Sequence, residues 1–117
     1  MPAFTYNFTI EQGTSFRKPF VYKDSLGIPI DLSGFTARMQ MRPSKSSSLV
    51  LLDLTTENGG VVIDGPKGAV TMVFTEAMTS ALSRSGVYDL ELVNGSTVMR
   101  FIEGEIILSK EVTRHAG

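Results

Sequence analysis

The chain has 117 residues, enough for one domain that buries roughly two-thirds of its unfolded surface around a single core. With 42% hydrophobic and 20% charged residues it has the composition of a chain that folds, well away from that of a disordered segment. A formal net charge of -1 excludes a general electrostatic pull toward nucleic acid or an anionic membrane, and the absence of cysteine excludes a disulfide framework, a thiolate metal site and a cysteine nucleophile.

The N-terminus, "MPAFTYNFTI", has neither the basic start nor the apolar run of a signal peptide, and no apolar run approaches the ~20 residues that span a membrane. The expectation is a chain made in the cytosol, so the glycosylation patterns "NFT" and "NGS" are expected to stay unused. In "TYNFTI", Tyr6, Phe8 and Ile10 share one face of a strand. After "EQG", "TSFRKPFVY" resumes the alternation with Phe16, Phe20 and Tyr22. Pro19 interrupts this second strand and cannot donate to a ladder, so the strand belongs at a sheet edge or carries a bulge.

"KDSLGIPIDLSG" combines the turn formers Asp24, Ser25 and Gly27 with an Ile28 biased to extended backbone by the following proline, which reads as a tight hairpin or corner. "FTARMQMRP" has the cleanest alternation in the chain, with Phe35, Ala37, Met39 and Met41 on a core face and Thr36, Arg38, Gln40 and Arg42 on a wet one. The polar loop "PSKSSS" leads to the short strand "LVLLDLTT", and "ENGG" turns the chain into "VVID". "GPKG" separates "VVID" from "AVTMVF" as a second hairpin.

One passage has helical spacing. "TEAMTSALSRSG" offers Thr75 or a neighbour as N-cap, Glu76 in the first turn, Ala77, Met78, Ala81 and Leu82 at helical spacing, and Gly86 as terminator. A helix of about two turns cannot support a fold and reads as a plug across one end of a sandwich. Asn94-Gly95 between "VYDLELV" and "TVMRFIEG" predicts a two-residue type I′ hairpin, with Tyr88, Leu90 and Leu92 inward and Asp89 and Glu91 outward. "EIILSKEV" supplies a further strand, with Ile106 and Leu108 inward. About eight short strands, one short helix and closely spaced turns predict an all-β fold, an antiparallel β-sandwich forming a single domain over residues 1–117. Residues 1–5 and 114–117 are expected to be flexible or partner-bound ends.

The search for chemistry yields no reaction, no cofactor and no metal. His115 lies three residues from the C-terminus, where nothing holds it for catalysis. The serines of "SKSSS" have neither a base nor a Gly-x-Ser-x-Gly context. Asp89 and Glu91 project from one face of a strand and read as cross-strand ion-pair partners, with Arg100 or Thr97 opposite them. Asp53, Glu57 and Asp64 lack the dense loop of a calcium site, and the paired glycines of "ENGG" and "GPKG" precede no helix that could cradle a phosphate. Arg17, Lys18, Arg38, Arg42 and Lys45 come nearest to a basic patch, yet with no tryptophan and with aromatics alternating into the core they form no nucleic-acid platform. Met39, Met41, Met72, Met78 and Met99 read as core filler.

Three stretches together carry a resemblance: "GTSFRKPFVYKDSLGIPIDLSGFTARMQMRP", "GVYDLEL" and "EGEIILSKEVTR". In this pattern, from about Phe8 to Arg114, the chain resembles the small β-sandwich proteins encoded among the tail genes of tailed bacteriophages. The resemblance implies a virion structural protein assembled in the bacterial host cytoplasm, an adaptor or attachment module in the tail, baseplate, neck or fibre base. It implies other virion proteins and identical copies as partners, and it brings no catalytic residues. The alternatives are a carbohydrate- or receptor-binding domain, or a capsid decoration protein; a glycan partner would need exposed aromatics, for which Phe4, Tyr6 and Tyr22 are the candidates. The residues expected to form an interface are Phe4, Tyr6, Phe8 and Pro19, in an N-terminal segment read as lying ahead of the first secure strand and on an interrupted edge.

Overall fold

The computed structural model describes residues 3–113 and consists largely of strand. The strands are β1 (Phe4–Thr5), β2 (Phe8–Glu11), β3 (Phe16–Val21), β4 (Thr36–Arg42), β5 (Leu52–Thr55), β6 (Val61–Asp64), β7 (Ala69–Phe74), β8 (Gly86–Asn94) and β9 (Thr97–Ser109), with a single helix, α1 (Glu76–Ala81), between β7 and β8. A six-stranded sheet runs β1-β9-β8-β4-β5, with β2 also on β9, and a three-stranded sheet runs β3-β7-β6. Two sheets around one core make the all-β, sandwich-like fold that the alternation predicts. Ile10, Met39, Met41, Leu54, Val70, Met72, Leu90, Leu92 and Ile106 are fully buried between the sheets.

The strands are not antiparallel throughout. β1 and β2 lie parallel to β9, pairing Phe4 with Ile102 and Phe8 with Ile106. Period-two alternation determines which side chains face the core but is blind to strand direction. β2 reaches its edge with no hairpin linking it to β9, so neither orientation is imposed by a turn.

β9 is one strand of 13 residues, where the sequence reading broke it at Gly104. A glycine inside a strand marks a place where another backbone comes close. A Cβ there would lie 2.8 Å from the Tyr6 carbonyl carbon and 2.8 Å from Asn7 Oδ1. The chain between β1 and β2 crosses at that point: the Tyr6 amide donates to the Glu103 carbonyl at 2.9 Å, and the Glu105 amide donates to Asn7 Oδ1 at 2.8 Å. The pairing of β8 with β9 slips between Leu90–Ile102 and Glu91–Arg100, leaving Phe101 as the extra residue of a bulge. The slip turns both Phe101 and Ile102 into the core.

The β8–β9 hairpin is displaced by one residue from its predicted position. Asn94 pairs with Thr97, so the two central residues are Gly95 and Ser96. Gly95 has φ +59°, while neither Asn94 nor Ser96 has a positive φ. That is a type II′ turn with glycine first, not a type I′ turn over Asn94-Gly95. The helix begins as predicted, with the Thr75 hydroxyl oxygen accepting from the Met78 amide. It ends at an extended Leu82 without a glycine, and Gly86 instead opens β8. The Thr79 hydroxyl donates to the Thr14 carbonyl at 2.8 Å and accepts from the Gly13 amide at 3.0 Å. The helix therefore closes the end of the sandwich where β2 turns into β3.

Pro19 sits on β3, an edge strand, as its missing N–H requires. The Tyr22 amide bonds the Gly68 carbonyl in continuation of the β3–β7 register. Because hydrogen-bonded and non-bonded pairs alternate in an antiparallel ladder, Pro19 opposite Thr71 falls in a non-bonded pair with its nitrogen on the open side.

Gly95→Val should destabilise the protein by about 1–2 kcal/mol, the cost of an L side chain at positive φ, because a Cβ there meets nothing within 4 Å. Gly104→Val should cost more, since it forces the N-terminal backbone away from β9. Chemical denaturation of both variants checks the order, and equal stabilities would contradict it.

Candidate interaction surface

Of the seven phenylalanines and three tyrosines, all but Phe35 belong to one network of ring contacts. The rings lie along the seam where β1 and β2 of one sheet meet β3 of the other. Phe4 meets Phe101 edge-on at 6.2 Å, and Phe101 contacts Tyr22 at 5.0 Å and Phe20 at 6.5 Å. Tyr6 meets Phe20 edge-on at 5.3 Å and stacks on Phe8 at 5.8 Å. Phe8 continues inward to Tyr88 and Phe74, and Phe74 stacks on Phe16 at 4.6 Å. Each such pair is worth about 0.5–1.5 kcal/mol beyond the area it buries.

The four expected interface residues part company along this seam. Phe4 and Tyr6 reach the surface, at 55% and 38% exposure. Phe8 does not: at 7% exposure it is a core residue, because its even spacing with Ile10 turns it inward. Pro19 is exposed on the outer face of the opposite sheet. Phe4 does not lie ahead of the first strand as expected, since Phe4–Thr5 is itself a strand of the six-stranded sheet. Met1, Pro2, and Arg114 to Gly117, including His115, lie outside the described residues.

Several contacts fix the exposed rings. The Tyr88 hydroxyl donates to the Tyr6 carbonyl at 2.6 Å, and burial pushes that phenol far above its ordinary pKa, so it stays a neutral donor. Lys18 Nζ donates to the Tyr6 hydroxyl at 3.3 Å and lies 5.6 Å from the Tyr6 ring centre and 5.3 Å from that of Phe8. Phe101 and Phe20, which carry Phe4 and Tyr6 from beneath, were not singled out in the sequence as their support. The adjacent bulky pair Phe101-Ile102 held the signal, because strict alternation cannot bury both.

The outer face of the large sheet holds a polar basin of about 680 Å³, lined among others by Gln40, Arg42, Lys45, Asp89, Glu91, Arg100 and Glu103. Asp89 and Glu91 project into it as predicted. Glu91 accepts from Arg38 Nε at 2.7 Å, while Arg100 lies 3.5 Å from Asp89 and 3.6 Å from Glu103. Burial, and then the charge of Glu91, raise the Asp89 carboxyl above its ordinary 3.8, and Arg100 only partly offsets them. The five basic residues do not gather into one patch. Arg38, Arg42 and Lys45 belong to the large-sheet side, and Arg17 and Lys18 to β3 of the small sheet. Asp53 is on β5 and Asp64 on β6, in different sheets, and no group of three or more metal-ligating residues comes together among the described residues. Met39, Met41 and Met72 are fully buried and Met78 and Met99 pack against the core.

The chain matches no family model and no curated protein.

Because the folded state raises the pKa of Asp89, the native protein binds this proton more tightly than the unfolded chain does. Its contribution to stability is therefore greatest at acid pH and falls as pH rises from 3.8 through the raised value. Melting temperatures across a pH series should show Asp89→Asn gaining on the parent through that window, then holding a constant offset. A pH-independent offset would contradict the sign.

Proposed function

We propose that this chain is a structural module of a tailed-bacteriophage virion, a sandwich-like adaptor or attachment piece of the tail, baseplate, neck or fibre base that works by protein association. Its partners are other virion proteins and identical copies, and it assembles in the host cytoplasm. Besides the sequence pattern, the observation that supports this reading most is the presentation of Phe4 and Tyr6. Both are aromatic, both reach solvent, and each rests on another ring, Phe4 on Phe101 of the neighbouring strand β9 and Tyr6 on Phe20 of the opposite sheet. An anchor already held in one orientation loses little entropy on docking, and aromatic anchors with a polar surround are what protein interfaces favour. Here the surround is supplied by Lys18, Asn7 and Glu103.

In a virion with repeated copies, individually weak contacts at such anchors suffice through multivalency. Pro19 and the short strands β5 and β6 limit edge pairing, leaving side-chain docking as the mode of association.

Removing residues 1–6 would not separate association from folding, since the Tyr6 carbonyl and amide both bond the body of the domain. Phe4→Glu does separate them, because the ring is more than half exposed and makes a single ring contact. In virions purified from a lysate of the source bacterium, mass spectrometry should find the parent chain in multiple copies. Phe4→Glu should be depleted from the particles at a stability cost of about 1 kcal/mol. Absence of the parent from particles, or full incorporation of Phe4→Glu, would contradict the proposal.

A further inference from the structure

The outer face of the small sheet is unusually apolar for a face turned to solvent. Its outward residues are Arg17, Pro19 and Val21 on β3, Ala69, Thr71 and Val73 on β7, and Val62 and Asp64 on β6. Val21 is 46% exposed and Val62 48%. The register sets them in rows: Arg17 beside Val73, then Pro19, Thr71 and Val62, then Val21, Ala69 and Asp64. The two charges thus stand at diagonally opposite corners of an otherwise uncharged patch. Neither Arg17 nor Asp64 has an ion-pair partner among the described residues, whereas Arg38 and Arg100 on the other sheet, and Lys45 in the loop after β4, do.

We infer that this face pairs with the same face of a second copy of the chain, about a two-fold axis that lies in the interface perpendicular to the line from Arg17 to Asp64. That operation lays the patch upon itself with the strands of the two copies crossing steeply, an established mode of sheet packing. It places Arg17 of each copy over Asp64 of the other, so both corner charges are matched, and Pro19, Val21, Val62, Thr71 and Val73 are covered between them. Rotation about the strand direction would instead set Arg17 over the row end at Gly60, and rotation about the perpendicular would set it over Val21, leaving both charges desolvated and unpaired. The charge pattern therefore selects one symmetric arrangement, and such an isologous contact closes after two copies.

Three strands about 4.8 Å apart and about 20 Å long offer on the order of 300 Å² per copy. This is well below the ~800 Å² per partner of a standard stable interface. The pairing is therefore concentration-dependent, and it assumes nothing about a virion.

Sedimentation equilibrium of the 12.7 kDa chain tests it. The parent should pass from monomer toward twice that mass as concentration rises to about 1 mM, the range of small, transient interfaces. Arg17→Asp and Asp64→Arg should each stay monomeric, since each sets like charges over one another. An equimolar mixture of the two variants should associate again, because every corner then pairs an aspartate with an arginine, and circular dichroism of each variant should match the parent. A parent that remains monomeric, single variants that associate like the parent, or a mixture that stays monomeric would each overturn the inference.

Discussion

The docking of residues 4–11 along β9 is the constraint on which the rest of the structure depends. Without it, the large sheet would end in the long strand β9 with its open side unpaired from Ile102 to Ser109. The aromatic seam would also lose the rings of Phe4, Tyr6 and Phe8, and with the last two the ring contacts from the N-terminal segment to Phe20 and Phe74 of the small sheet. A sandwich whose second sheet has only three strands cannot cover the first by area alone. It is joined to the large sheet by the aliphatic and methionine side chains of the core and, along the seam, by aromatic rings. Gly104 permits this arrangement, because a side chain there would hold the N-terminal backbone away from β9. Tyr88 then satisfies the one carbonyl, that of Tyr6, which the crossing takes out of the ladder.

The same constraint shapes the surface. A segment that belongs to the sheet presents its exposed rings as fixed features rather than as a loose arm. The polar basin is organised differently. Arg100 lies beside Asp89 and Glu103, Glu91 is held by Arg38, and Arg42 donates to Gln40 Oε1 and the Ser47 carbonyl, so most of its charged groups have a partner within the sheet. On the outer face of the small sheet, Arg17 and Asp64 stand without ion-pair partners among the described residues, with exposed Val21 and Val62 between them.

Much of this architecture was legible in the sequence. Alternation identified the inward faces of "FTARMQMR" and "VYDLELV" residue by residue, the helix start was located to Thr75 or a neighbour, and Pro19 required a sheet edge or a bulge, of which β3 is the edge. What escaped were features that depend on a distant partner. The parallel direction of β1 and β2 leaves no local trace, because side-chain period is the same in either sense. The break read at Gly104 was a real signal given the wrong cause, since the glycine answers to an approaching backbone and not to a turn. The hairpin shifted by one residue because Gly95 can serve either as the second residue of a I′ turn or as the first of a II′ turn, and the register of β8 on β9 decides between them. Phe8 was assigned to the surface with its neighbours Phe4 and Tyr6, although its own spacing with Ile10 placed it in the core.

Native-state hydrogen exchange tests the central role of the N-terminal segment most directly. The amide of Tyr6, bonded to Glu103, and that of Glu105, bonded to Asn7, are the two that report on the crossing at Gly104. If the docking is integral to the fold, both should exchange only through global unfolding, with the same opening free energy as amides of the interior strand β4. Exchange of these two amides through a low-energy local opening, with β4 still protected, would show that the sandwich stands without the segment and would contradict the account.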